Sequence, residues 1–210
     1  MVRTGDHHDG DPIRRRRAAA IAGHQGDAAT ARTFLADPEA SVRAAALGAL
    51  HRAGDLHPDE LRMALRDDDP ELRRRALELV AALGGGGPAA VVSILALLDD
   101  PDDTVVEVAA WACGECDPAE PGAIRRLAEL ATRAEDALVR ESAVAALGAI
   151  GDPAGLDAIL QATSDKATVR RRAVLALAPF DGPSVDAALQ RALGDRDWQV
   201  RQAAEDLLQH

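Results

Sequence analysis

An alanine recurs at a fixed distance from a recurring arginine, and this repeat limits the possible folds more than any other feature of the sequence. Seven anchor positions, six of them arginine, follow one another at spacings between 26 residues (17 to 43) and 34 residues (106 to 140). The third residue after each anchor is alanine in all seven cases. Such a period is typical of repeat proteins, in which each unit buries its apolar face against its neighbours. The anchors are Arg17, Arg43, Arg73, Val106, Arg140, Arg170 and Arg201, and the alanines are Ala20, Ala46, Ala76, Ala109, Ala143, Ala173 and Ala204.

Apolar residues recur around most anchors at offsets −1, +3, +4 and +7, which lie on one face of an α-helix. The anchor region therefore predicts a helix, here called the inner helix, whose small alanine allows a neighbouring helix to approach closely. Glycine and proline turn signals separate it from a second apolar pattern, which predicts an outer helix. No segment alternates with period two for long enough to form a sheet, so the predicted fold is all-α. We expect one N-terminal helix at about 12–25 and six helical pairs at about 27–53, 55–83, 86–114, 118–150, 152–179 and 182–209.

Aspartate stands six residues before most anchors. We expect its carboxylate to accept hydrogen bonds from the first N–H groups of the inner helix and to face the arginine of its own or an adjacent repeat. This series of pairs is called the ladder. Within Arg14–Arg17, we assign Arg17 to the ladder and expect the other three arginines to be solvated, with binding of phosphate or of an acidic partner as the alternative. The aspartates are Asp11, Asp37, Asp67, Asp100 and Asp195, and the exceptions are Ala134 and Ser164.

With an Asp and an Arg six residues apart beside an alanine-rich helix, residues 11–209 resemble the HEAT repeat family, in particular the short HEAT-like repeats of phycobilisome lyases. The resemblance implies a right-handed α-α superhelix, a HEAT/armadillo-type solenoid whose inner helices line a concave surface. That family includes scaffolds, lyase subunits, hydroxylases and DNA-binding enzymes, so the resemblance specifies the fold rather than the function. We expect a flexible tail at 1–10 and a single HEAT-like repeat domain at 11–210.

The charge balance narrows the choice of partners. The chain carries 24 basic and 35 acidic side chains, a formal charge of −11, which has the same sign as nucleic acid and anionic lipid. We therefore expect no nucleic-acid and no membrane partner. The uncharged run 79–98 is long enough to span a bilayer, but Gly84–Gly87 and Pro88 interrupt it, and we expect a loop followed by a core helix. The first ten residues lack the apolar region of a signal peptide, which favours a cytoplasmic location.

Two cysteines are the strongest candidates for metal or redox chemistry. Cys113 and Cys116 have the CxxC spacing of redox pairs and of half a zinc site. In the repeat alignment they replace Leu147 and Ile150, so we expect them to pack in the core, with a metal or redox role as the alternative. Residues 6–9, Asp-His-His-Asp, offer only a loose set of ligands in the tail. We expect no cofactor and no bound metal.

The remaining candidates lie at offsets +1, +5 and +8 to +9 of the inner helices, which point away from the apolar face. Trp111 stands at offset +5, where no rule of core packing requires a large ring, so it is a candidate binding hot spot. The alternative is that Trp111 is partly buried against Ala145. The full set of expected partner-binding residues is Arg74, Glu78, Glu107, Trp111, Glu115, Glu141 and Arg171.

The sequence contains no paired carboxylates, no nucleophile with a base and no cofactor motif to which a reaction can be assigned. We expect a non-catalytic protein-interaction module or scaffold, monomeric, that binds a basic or extended segment of another protein. The alternative is a lyase or lyase-chaperone subunit of the bilin-lyase type.

Overall fold

Several helices begin where an aspartate side chain accepts a hydrogen bond from the first turn, or where a proline, which has no N–H group, occupies that turn. The Oδ1 atom of Asp11 accepts a hydrogen bond from the amide of Ile13 at 3.1 Å, and Pro12 opens the helix. That helix ends at Gly26, whose φ of 72° lies in the left-handed region that glycine adopts without strain. The helices in the described part of the chain are α1 (Pro12–Gln25), α2 (Ala28–Thr33), α3 (Ala40–Arg52), α4 (Pro58–Ala64), α5 (Pro70–Ala82), α6 (Asp103–Glu115), α7 (Ala123–Arg133), α8 (Ala137–Ile150), α9 (Leu156–Ala162), α10 (Ala167–Ala176), α11 (Pro183–Ala192) and α12 (Trp198–Leu208).

The computed structural model describes residues 11–209, which fall into two compact units divided between Leu79 and Val80. Every regular element in this range is helical, which confirms the all-α prediction. None of the described helices is both long and apolar enough to cross a membrane. The predicted tail at 1–10 lies outside the described residues, and the single domain at 11–210 stays a prediction.

Inner helices stack on one another within each unit. In the first unit α1 packs against α3; in the second, α8 packs against both α6 and α10, and α10 packs against α12. The outer helices α7, α9 and α11 cover the stack from the other side. Six of the seven repeat alanines lie at its centre, since Ala46, Ala76, Ala109, Ala143, Ala173 and Ala204 have no exposed surface. The assignment of Ala20 was wrong, because Ala20 is only half-buried and Ala19 is the buried alanine in α1.

The outer element of the third pair differs from the prediction. Residues 86–99 form two short 3₁₀ turns, Gly87–Val91 and Leu95–Asp99, rather than a loop followed by a core helix. Val92 between them is extended (φ −119°, ψ 122°). Adjacent β-branched valines disfavour a helix, and the Glu120 carboxylate accepts hydrogen bonds from the Ser93 hydroxyl and the Ile94 amide. The expectation of a core helix here was wrong because a partner outside the segment satisfies its backbone.

The ladder joins successive repeats within each unit. Arg140 and Arg170 each use Nε and Nη2 to bind both oxygens of an aspartate in the following repeat, at 2.6 to 2.9 Å. The Nη1 atom of the same arginines donates to backbone carbonyls just before its own helix. Each arginine therefore binds both the turn before its own helix and the following repeat. The described pairs include Arg15–Asp37, Arg43–Asp67, Arg140–Asp165 and Arg170–Asp195.

Two ladder assignments made from the sequence were wrong. Arg15, not Arg17, pairs with Asp37, at 2.7 Å, so Arg15 is not a solvated arginine and Arg17 is exposed. Asp165, one residue after Ser164, supplies the carboxylate that the alignment found missing. A difference of one residue in the length of the turn before an inner helix moves the ladder carboxylate by one sequence position.

Asp11 caps α1 as predicted, but ladder aspartates further along the chain bind a different part of the backbone. Asp195 accepts from the amide of Asp197, which precedes the helix, and Asp197 in turn caps α12 by accepting from the Gln199 amide at 2.9 Å. Asp100 and Asp102 repeat the same arrangement before α6. The ladder aspartate therefore fixes the turn, and a second aspartate two residues later caps the helix.

The closest approach between inner helices occurs at glycine. A Cβ atom on Gly148 of α8 would lie 2.6 Å from Cβ and 2.7 Å from Cα of Ala176 on α10. Gly114 of α6 has the same relation to Ala146 of α8, at 2.8 Å from its Cα. These distances leave no room for a side chain, so the glycine sets the spacing between successive repeats.

Candidate functional site

A depression of about 610 Å³ lies between α6 and α8 in the second unit and carries the largest exposed ring near the predicted site. We call it the α6–α8 groove. One wall consists of residues of α6 and the other of residues of α8, and a single residue of α10 closes one side. The groove is lined by Glu107, Val108, Trp111, Glu115, Leu138, Glu141, Ser142, Ala145, Ala149 and Arg172.

The α6 wall is acidic and aromatic. Glu107, Trp111 and Glu115 are spaced four residues apart, which aligns them along one face of the helix. Trp111 is 42% exposed, a large apolar surface for a residue that could have been small at this position. Within residues 80–209, neither Glu107 nor Glu115 forms an ion pair or a side-chain hydrogen bond. Their charge is therefore available to a cation from outside this unit.

The α8 wall is mostly small and apolar. Leu138 is 57% exposed at one end, and Ala145 and Ala149 follow it along the helix. Glu141 on this wall lies 3.5 Å from Arg172 of α10, a loose ion pair that offsets part of its charge. The groove thus presents negative charge and a ring on one side and an apolar surface on the other.

The structure brings together four of the predicted partner-binding residues, Glu107, Trp111, Glu115 and Glu141, in this one groove. Arg171 is exposed but does not line it. The next residue, Arg172, takes that place, and the sequence analysis missed it. The sequence already pointed to this part of the helix. Arg172 directly follows Arg171, and an offset of +2 from the anchor instead of +1 would have selected it.

Arg74 and Glu78 belong to α5 and to the first unit, and they are described there by themselves. Glu78 is exposed and accepts a hydrogen bond from Nη1 of Arg75 at 2.8 Å. Arg74 is half-buried, and its Nε atom is buried with no hydrogen-bond partner among the described residues.

The two cysteines lie beside a second cavity, of about 390 Å³, between the third outer segment and the loop after α6. Cys113 is buried, and burial raises the pKa of its thiol to about 12. Cys116 is half-buried, and burial together with Glu120 and Glu115 raises the pKa of its thiol as well. Among the described residues, no group of three or more His, Cys, Asp or Glu side chains is arranged to hold a metal ion.

A thiol with a raised pKa carries little thiolate at neutral pH, and the thiolate is the reactive form. We therefore expect both cysteines to react slowly with Ellman's reagent in the native protein and rapidly after denaturation, with Cys116 reacting before Cys113 because it is less buried. A Cys116→Val variant identifies the faster thiol. Rapid native reaction of both thiols, or one metal ion per chain lost in a Cys113→Val, Cys116→Val variant, would contradict the core assignment.

The stacked helical pairs and the ladder define the class of protein, an all-α repeat protein of the HEAT/armadillo solenoid type. The family profile of HEAT repeats matches residues 58–148 and 124–209, which together cover well over half of the chain. The protein belongs to the HEAT repeat family. The narrower likeness to phycobilisome-lyase repeats stays a prediction, and no curated protein matches the sequence.

Solved structures support the same fold at low sequence identity. The X-ray structure of the Escherichia coli protein YibA is 19% identical, with a TM-score of 0.72 over 96% of this chain and 78% of that one. An engineered protein is 21% identical, with a TM-score of 0.57 over 93% of this chain and 95% of the other. A designed armadillo repeat protein in complex with the peptide (KR)4 is 18% identical, with a TM-score of 0.58 over 95% and 99% of the two chains.

Proposed function

We propose that this protein is a non-catalytic protein-interaction module that binds an extended, basic segment of another protein in the α6–α8 groove. The observation that carries the proposal is Trp111, a large exposed ring between two carboxylates that have no cationic partner within residues 80–209. Arrays of HEAT and armadillo repeats commonly serve as interaction scaffolds, because a stack of helical pairs presents an extended surface to a partner.

The ring of Trp111 is expected to supply most of the binding energy. Tryptophan is enriched among the few residues that dominate binding energy, because it removes a large surface from water at low cost in side-chain entropy. The carboxylates around it orient a basic partner and raise its association rate rather than supply most of the affinity. The designed neighbour that was solved with a (KR)4 peptide shows that a fold of this type accommodates such a ligand, and this supports a basic partner here.

The proposal also covers the other predicted contact residues, the cellular location, the oligomeric state and the domain organisation. Arg74, Glu78 and Arg171 are proposed as secondary contacts outside the groove, where exposed charges tune orientation. We also propose that the chain works in the cytoplasm as a monomer, with residues 11–210 as one repeat domain.

Replacing Trp111 with alanine tests the proposal. We expect the variant to lose the partner that the wild-type protein captures in a pull-down, and to bind that purified partner more weakly by at least about 2 kcal/mol, as for a central aromatic anchor. The matched control is Trp198→Ala, since Trp198 is 65% exposed at the start of α12 and outside the groove. Circular dichroism checks that both variants keep their helical content.

Charge variants distinguish specific binding in the groove from non-specific association. Glu107→Gln and Glu115→Gln should weaken association mainly at low salt, where exposed charges are least screened. Normal binding by Trp111→Ala, with loss of binding in Trp198→Ala or in variants of the outer helices, would place the interaction elsewhere and overturn the proposal.

A further inference from the structure

We infer that the segment bound in the α6–α8 groove runs parallel to the two helices, in extended conformation, with basic side chains at alternate positions and apolar side chains between them. This inference rests on the proposed function and specifies its ligand. It begins from the direction of the groove. The lining residues follow α6 from Glu107 to Glu115 and α8 from Leu138 to Ala149, whereas α10 contributes Arg172 alone. The depression is therefore elongated along the helices rather than across the repeats.

The spacing of the α6 wall matches an extended chain. Residues four apart on a helix are separated by about 6 Å along its axis. Alternate residues of an extended chain are separated by about 6.6 to 6.8 Å. Over the two intervals from Glu107 through Trp111 to Glu115 the accumulated difference is about 1.2 to 1.6 Å, within the reach of flexible lysine and arginine side chains. Three alternate side chains of the segment can therefore meet these three residues in turn.

Each of the three positions favours a cation. The outer two meet the carboxylates of Glu107 and Glu115, which have no ion-pair partner within residues 80–209. The middle one lies over Trp111, whose exposed ring attracts a guanidinium or ammonium group through its negative face. Arginine suits this position best, because its planar group stacks on a ring and also binds a neighbouring carboxylate.

The opposite wall determines the intervening residues. In an extended chain, successive side chains point to opposite sides, so those between the basic residues face α8. There they meet Leu138, Ala145 and Ala149, which favour small or aliphatic side chains over charged ones. Glu141 and Ser142 are the polar members of this wall, and Glu141 already pairs with Arg172. The recognised pattern is thus basic, apolar, basic, apolar, basic.

The alternative direction, across the repeats, is disfavoured by charge. A basic segment that continued from α8 onto α10 would meet Arg171, which is exposed, and Arg172, which closes that side of the groove. Like charges repel one another, so these arginines disfavour basic side chains. The ion pair of Arg172 with Glu141, at 3.5 Å, offsets only part of its positive charge. The positive charge on α10 therefore limits the segment to the space between α6 and α8.

Isomeric peptides test the pattern. We would titrate the full chain with Arg-Leu-Arg-Leu-Arg and Arg-Arg-Arg-Leu-Leu, both flanked by Gly-Ser, acetylated and amidated, and follow binding by calorimetry at low ionic strength. Composition and charge are identical, so general electrostatic attraction is the same for both. We expect the alternating peptide to bind at least about fivefold more tightly, and this ratio to fall towards one in Glu115→Gln and Trp111→Ala.

Arg191→Ala is the matched control, because Arg191 is exposed on the outer helix α11 and outside the groove. It should leave the affinity of the alternating peptide unchanged. Equal affinity for the two isomers, or an effect of Arg191→Ala as large as that of Glu115→Gln, would overturn the inference. If neither peptide binds while Trp111→Ala still abolishes capture of the protein partner, the inference fails and the proposed function stands. If the alternating peptide is preferred but Trp111→Ala captures the partner normally, the groove specificity stands and the proposed function fails.

Discussion

Replacing Arg170 with methionine is expected to lower the free energy of unfolding by about 3 kcal/mol, because it leaves the carboxylate of Asp195 without its partner. The Nε and Nη2 atoms of Arg170 each bind one oxygen of Asp195 at 2.8 Å, and Nη1 donates to the carbonyl of Asp165 at the same distance. The two side chains are only 8% and 15% exposed, so water replaces little of what is lost. Methionine keeps the aliphatic volume and removes the charge.

The neighbouring arginine is a matched control for this substitution. Arg171 is adjacent in α10 and exposed, so Arg171→Met should change the free energy of unfolding by less than about 0.5 kcal/mol. Urea unfolding followed by circular dichroism measures both values. Similar losses in the two variants would mean that the ladder contributes nothing specific to stability.

The same pair predicts how stability depends on pH. The hydrogen bonds from Arg170 hold the pKa of Asp195 below its usual value of 3.8, and those from Arg140 do the same for the pKa of Asp165. A carboxylate with a lowered folded-state pKa stabilises the protein fully above its unfolded value. That contribution decreases as the pH falls below about 4 towards the folded pKa. We expect wild-type stability to decline over this range and the decline to be smaller in Arg170→Met, where the pairing is absent at every pH.

The ladder also explains a gap in the repeat pattern. Val106 replaces the arginine of the third pair and is buried, and Ala134 replaces the aspartate that would face it in the fourth. Both members of this pair are apolar or small, so neither leaves an unpaired buried charge. Losing both partners together is nearly neutral, whereas losing one is costly.

Sequence periodicity was sufficient to predict the fold because the core alanines recur at every inner helix, and a helix with a period of 3.6 residues leaves them only one buried face. Periodicity was not sufficient to identify which arginine of α1 takes part in the ladder. Four consecutive arginines, Arg14–Arg17, each allow a plausible ladder, and the spacing varies by several residues between repeats. Gly23 could have decided it, since it lies eight residues after Arg15, as Gly148 lies eight residues after Arg140, and both approach an alanine of the next helix.

The candidate groove was only partly predictable for a related reason. Offsets along a helix identify Glu107, Trp111 and Glu115 as neighbours, because all three lie on α6 and the helix fixes their spacing. The opposite wall depends on the rotation of α8 and α10 against α6, which tertiary packing sets. Sequence offsets therefore selected Arg171 where the structure places Arg172. The 3₁₀ turns at 87–99 escaped prediction because Glu120, more than twenty residues away, holds them through Ser93 and Ile94.

Replacing Gly148 with leucine is expected to destabilise the second unit by about 3 kcal/mol, because overpacking at this position cannot be relieved by moving a side chain alone. A Cβ atom at residue 148 would lie 2.6 to 3.0 Å from Cβ, Cα and the carbonyl oxygen of Ala176, so the backbone of α10 must move. That movement disturbs the ladder pair Arg140–Asp165 and the buried Leu147 beside it. The gain in helix propensity, about 0.8 kcal/mol for glycine to leucine, offsets only part of this cost.

Urea unfolding measures the free energy of unfolding of a control variant and of variants that test the cause of the destabilisation. Ala149→Leu, one residue further along α8 and exposed, should be nearly neutral. Gly148→Ala should be destabilising in the wild-type background, and less so in an Ala176→Gly background, because removing the Ala176 methyl group relieves the 2.6 Å contact but not the 2.7 Å contact to its Cα atom. A neutral Gly148→Leu variant, or equal losses from Gly148→Ala in the two backgrounds, would show that α8 and α10 are not held at this distance. If the expected coupling is found, Gly148 determines how closely α8 and α10 stack. Gly114 has the same relation to Ala146 and is then expected to set the separation of α6 and α8, the walls between which the proposed ligand must fit.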